Sequence, residues 1–169
     1  MTKNKPIVVI GLMGSGKTTA GRLIADALGL PLSDSDPYLR STHKGTAAQI
    51  ADREGADALH RYEAEHLLLA LDGEPKVIAA AAGTVEDPHV RAALRKAFVV
   101  WVDAPDEVLA RRMRSDDHRP HFRPKQLRPR REPYFREVAD LVCDVSVLRP
   151  EQVRDAVLRE MGLPDGEHT

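Results

Sequence analysis

The chain has 169 residues, with 25 Lys and Arg against 26 Asp and Glu and a formal net charge of −1. That length suits a single domain over residues 1–169 with a sizeable core, and the composition and balanced charge indicate neither disorder nor a partner recognised by overall charge. The one cysteine, Cys143, excludes a disulfide framework and a thiolate metal site, and is expected in a buried strand of a cytoplasmic protein.

Near the N-terminus, lysines precede the apolar run "PIVVIG" (6–11). The run is too short for a membrane helix and passes through "LMG" into "SGKTT" with no cleavage-like site, so it reads as a first buried strand and not as a targeting segment. "KTTAGRLIADALG" then carries apolar residues at helical spacing and stops at Gly29. Four more short apolar runs follow: "LPLSD" (30–34), "KVIAAAA" (76–82), "FVVWVD" (98–103) and "LVCDVS" (141–146). None alternates, so each is expected to be covered on both faces. Between them lie helical stretches such as "DPHVRAALRKA", opened by Asp87 and Pro88, "APDEVLARRMR" and "RPEQVRDAVLREMG". The alternation predicts an α/β domain of three layers, a parallel five-stranded sheet with helices on both faces. "PDGEHT" reads as a C-terminal tail over about 163–169.

The most specific motif is "GLMGSGKTT", in which Gly11, Gly16, Lys17 and Thr18 satisfy G-x-x-x-x-G-K-[ST] between a strand and a helix. Backbone N–H groups of such a loop curl around phosphate oxygens, the helix N-terminus adds positive potential, and the lysine reaches the terminal phosphates. Gly11, Gly14, Ser15, Gly16, Lys17, Thr18 and Thr19 are therefore expected to bind ATP, with the Thr18 hydroxyl on Mg²⁺. Among the classes that share this loop, the chain length leaves little room for a motor's accessory domains, and no "NKxD"-like segment reads guanine. The arginines crowded between Arg111 and Arg136 fit a short lid over about 115–130, since arginines near a transferring phosphoryl group stabilise its charge.

With "LSDSDPYL" added to the loop and its helix, the sequence resembles the shikimate kinase family along nearly its whole length. The resemblance implies a monomeric P-loop kinase that passes the γ-phosphate of MgATP to a small hydroxylated acceptor. It places Asp34 beside the metal and Asp36 at the acceptor hydroxyl as candidate base. "ARRMRSDDHRPHF" is similar to the family's lid, with Arg112 against adenine and Arg119 at the phosphates. "RREPYFREVAD" resembles the segment whose arginine grips the acceptor carboxylate, here Arg131, and "LRPEQV" puts Arg149 and Pro150 near adenine.

Two departures fall on the acceptor side and a third in the lid. The family segment "GExxFRxxE" appears as "GADALHRYEAE", so that Glu63 is kept while the second carboxylate-gripping arginine becomes His60. Arg61 is adjacent, but a step of about 100° along a helix turns it away. The family's three glycines against the bound ring become Ala81, Ala82 and Gly83, and a positive φ at either alanine would cost about 1–2 kcal/mol. The span from Arg119 to Arg131 is also shorter than usual. The expected reading is thus a kinase whose acceptor site is altered or weakened for shikimate; a working shikimate kinase and a nucleotide-binding regulator are the alternatives.

Overall fold

The computed structural model describes residues 5–116 and 124–163. Five parallel strands lie in the order β2-β3-β1-β4-β5: β1 is Ile7–Ile10, β2 Leu32–Asp34, β3 Val77–Ala79, β4 Phe98–Asp103 and β5 Leu141–Asp144. The helices are α1 Lys17–Leu28, α2 Ser35–Thr42, α3 Ala47–Glu54, α4 Ala56–Asp72, α5 Pro88–Ala93, α6 Asp106–Asp116, α7 Pro124–Val138 and α8 Pro150–Glu160.

Alternate residues of β1 enter different cores. Val8 and Ile10 pack with Leu67 of α4, Val90 of α5, Leu109 of α6 and Phe135 of α7. Ile7 and Val9 pack with Ile24 of α1 and with Val153 and Val157 of α8. A strand buried on both faces needs no polar alternation, which is why these runs read as apolar throughout. The doubly covered sheet is the three-layer architecture the sequence predicts. Cys143 is buried in β5, where desolvation pushes its thiol pKa upward.

Parallel register carries the C-terminal ends of the strands to one edge. Ile7 pairs with both Val77 and Phe98, and Asp34 pairs with Ala79. Open parallel sheets bind ligands at that edge, where the strand order reverses. Beyond it, α2, α3 and α4 build a small third cluster from Leu39, Ala47, Ile50 and Leu59. A capping box at Thr46 and Gln49 starts α3, and Asp87 caps α5 as expected, accepting from the His89 N–H at 2.8 Å.

The strand expected over 76–82 is corrected in extent. β3 stops at Ala79, and the chain continues through a 3-10 turn over Ala82–Glu86. Of the stretch 115–130 expected as a lid, 117–123 lies outside the described residues, whereas 124–130 forms the first half of α7. That half is anchored by Arg128, which donates to Asp106 at 2.6 Å, to Asp103 at 3.1 Å and to the Ala104 carbonyl at 2.7 Å. Among the described residues no helix is long and apolar enough to cross a membrane.

Candidate active site

The loop between β1 and α1 turns on Gly14 (φ 84°) and Gly16 (φ 86°), left-handed values that a Cβ disfavours. The Ser15 hydroxyl donates to the Leu12 carbonyl at 2.6 Å, fixing the turn from inside. Gly16 is the N-cap of α1 and supplies no side-chain cap, and the first turn holds no acidic residue. Its N–H groups are therefore left for an anion. Lys17 donates to the carbonyls of Gly11 (3.0 Å) and Leu12 (3.3 Å), which folds its ammonium over the same loop.

Across the cleft the Thr18 hydroxyl donates to Asp34 Oδ2 at 2.8 Å, joining the start of α1 to the end of β2. Asp34 also caps α2, accepting weakly from the Asp36 N–H at 3.4 Å. Capping is thus only part of what Asp34 does. A hydroxyl and a carboxylate side by side under a phosphate loop suit Mg²⁺ shared with phosphate oxygens. Among the described residues no cluster of three or more acidic, His or Cys side chains could hold a metal ion by itself. A cleft of about 230 Å³ lies over this floor, lined by the loop, Asp34, Asp36, Glu63 and the chain from Ala79 to Ala82.

A second cavity adjoins it, lined by His60, Arg61, Gly83, Thr84, Glu86, Arg130 and Arg131 among others. A Cβ on Gly83 would stand 3.1 Å from the His60 ring and 3.2 Å from an Arg131 terminal nitrogen. His60, Gly83 and Arg131, distant in sequence, therefore meet at one point. Arg131 is only 7% exposed, and its Nε donates to Glu86 at 2.8 Å. Arg130 reaches the other oxygen of Glu86 at 2.5 Å. Burial raises the Glu86 pKa, but the Arg131 hydrogen bond and the charges of Arg131, Arg130 and His60 outweigh it and hold the carboxyl below its ordinary 4.5.

The condition for a strained backbone on this side is not met. Ala81 has φ −62° and ψ 145°, ordinary extended backbone, and Ala82 opens a 3-10 turn; neither residue, nor Gly83, has positive φ. The alanines carry no conformational penalty, and what Gly83 provides is space. Arg61, adjacent to His60 on α4, also lines the second cavity.

Two residues that sequence reasoning leaves out of the site emerge here. Glu63, 4% exposed, lines the first cleft and is hydrogen-bonded to His60 Nδ1 at 3.2 Å. Its place in the motif that locates His60 is the available signal. Glu86 has none, since its partner Arg131 is 45 residues away.

On the β5 side of the loop, Arg112 donates to the Gly14 carbonyl at 3.4 Å and to the Val145 carbonyl at 3.0 Å, bridging the phosphate loop and the end of β5. Arg149 is exposed and begins α8, its N–H donating to Gln152 at 2.8 Å, with Pro150 in the first turn. Arg119 lies outside the described residues.

Comparisons with known proteins identify the family. Residues 13–162 match the family "Shikimate kinase". The shikimate kinase of Symbiobacterium thermophilum is 39% identical over 148 residues, covering 81% of this chain and 85% of that one. The shikimate kinase of Acinetobacter baumannii, solved in complex with shikimate, superposes with a TM-score of 0.87 at 26% identity, over 95% of this chain and 94% of that one. A gluconokinase from Sinorhizobium meliloti 1021 shares the fold, with a TM-score of 0.63 at 21% identity over 96% of this chain and 94% of that one. The chain belongs to the shikimate kinase family and is an ATP-dependent small-molecule kinase.

Proposed function

We propose that the chain transfers the γ-phosphate of ATP, with Mg²⁺, to a hydroxyl of a small polyhydroxylated metabolite bound where the two cavities join. The observation that carries this reading is the hydrogen bond between Glu63 and His60. It ties a residue facing the phosphate loop to one facing Arg131, so a nucleotide on one side and an acceptor on the other share a wall.

Each side chain has a role in this account. The α1 N-terminus and the loop amides hold phosphate oxygens, and Lys17 turns from the carbonyls of Gly11 and Leu12 to the transferring group. Mg²⁺, when bound, neutralises charge on the phosphates and orients them. Thr18 and Asp34 would hold it, their 2.8 Å contact already placing hydroxyl and carboxylate together. Asp36, at the start of α2 and on the cleft wall, orients the acceptor hydroxyl and takes its proton. Arg131, His60 and the chain from Ala81 to Gly83 position the acceptor body. Arg112, Arg149 and Pro150 flank the base, and Arg119 belongs to a lid over the phosphates.

ATP turnover with and without shikimate and a panel of cyclic and linear polyols tests the reading. Saturable stimulation with formation of a phosphorylated acceptor is expected. Nucleotide binding without stimulation by any acceptor would leave a nucleotide-binding regulator as the better description.

A further inference from the structure

The proposed acceptor cavity holds charge that largely cancels. Three arginines line it, Arg61, Arg130 and Arg131, against three carboxylates, Asp57, Glu86 and Asp87. Glu86 faces Arg131 at 2.8 Å and Arg130 at 2.5 Å, one carboxylate oxygen to each. Arg131 is the guanidinium closest to Gly83 and the most buried, so its charge is met by Glu86 at close range before any ligand arrives. The side chain facing it across Gly83 is His60, which unlike an arginine carries no permanent charge and already bonds to the buried carboxylate of Glu63. A ligand carboxylate at the terminal nitrogens of Arg131 would share that guanidinium with the Glu86 carboxylate already bound to its Nε. A neutral polyol brings no second negative charge to it. Its hydroxyls can donate to Glu86 and accept from the terminal nitrogens of Arg131 in the same site.

From this pairing we infer that the acceptor is an uncharged polyhydroxylated molecule, and that Glu86 sets this preference by holding the charge of Arg131. The inference rests on the phosphotransfer reading above and narrows its acceptor to one chemical class.

The test compares shikimate with the matched alcohol in which a CH₂OH group replaces its carboxylate, reading kcat/KM for phosphoryl transfer. Making or breaking one charge-assisted hydrogen bond changes such a ratio by about 10- to 150-fold. The neutral analogue is expected to be preferred by at least about 10-fold, and equal use or preference for the acid overturns the inference while leaving the kinase reading intact. Transfer to neither, with nucleotide still bound, overturns that reading and this inference with it. Glu86→Gln should move the ratio of the two substrates toward the acid by about 10-fold or more. An unmoved ratio in a variant that binds nucleotide normally contradicts the role given to Glu86, since a merely structural residue would change both substrates together. The wild-type ratio decides the acceptor class whether or not the variant folds.

Discussion

His60 Nδ1 and Glu63 Oε1 lie 3.2 Å apart, one turn along α4, and this hydrogen bond joins the phosphate cleft to the cavity around Arg131. His60→Arg would place a permanent positive charge between Glu63 and Gly83. It should strengthen binding of a carboxylate-bearing acceptor by about 10- to 150-fold, measured by calorimetry with shikimate. Adding Ala81→Gly and Ala82→Gly should leave that affinity where His60→Arg puts it, because the extended backbone of Ala81 strains nothing. Each glycine should instead lower stability by about 0.4–1 kcal/mol through the entropy of the unfolded chain.

Gly83→Ala tests the convergence of His60 and Arg131. The added methyl has neighbours at 3.1 and 3.2 Å, tighter than side chains normally tolerate. Overpacking costs about 1–3 kcal/mol, so KM for the acceptor should rise by about 5- to 150-fold while the KM for ATP stays constant. A variant with unchanged acceptor KM would place the acceptor elsewhere.

The Thr18 hydroxyl against Asp34 should govern the metal requirement. Thr18→Val or Asp34→Asn should raise the Mg²⁺ concentration for half-maximal turnover by about 10- to 100-fold. Metal-free nucleotide binding, read by fluorescence titration, should change far less. Equal loss of both would point to collapse of the cleft.

Much of this site is legible in the sequence because its parts are local. The loop from Gly11 to Thr18 encodes its own turn, with glycines at left-handed positions and a helix starting at Lys17. The runs over β1 and β4 read as doubly covered strands because both of their faces are apolar. Long-range facts are not legible. Glu86 holds Arg131 across 45 residues, and no spacing rule announces such a pair. Three aligned glycines suggest left-handed backbone at Ala81 and Ala82, yet φ follows the path of the chain, and at Ala81 that path is extended. The start of α7 hides inside the arginine- and proline-rich stretch because Pro129 and Pro133 within the helix argue against one; what holds that half in place, the ties from Arg128 to Asp103 and Asp106, is long-range.

His66 gives the fold a dependence on pH near neutrality. It is buried on α4 and shares a 2.8 Å hydrogen bond with Ser33 of β2. Burial pushes its pKa below the ordinary 6.5; the charges of Asp34 and Glu63 pull it upward, and that of Lys76 adds to the lowering. The folded chain thus disfavours the proton that the unfolded chain accepts at about 6.5. Stability is full above that value and is lost as pH falls through it toward the folded value. The melting temperature should be lower at pH 5.5 than at pH 7.5, with a smaller difference in His66→Gln. An undiminished difference in the variant would assign the effect to other groups.

The most direct measurement of the central claim follows the γ-phosphate itself. With ATP labelled at that position, Mg²⁺ and an accepted polyol, the label should appear on an acceptor hydroxyl. Lys17→Met should reduce that transfer by about 10²- to 10³-fold, and Asp36→Asn by about 10²- to 10⁴-fold, with the melting temperature largely retained. Label released only as inorganic phosphate, or transfer to acceptor that persists unchanged in both variants, would contradict the account.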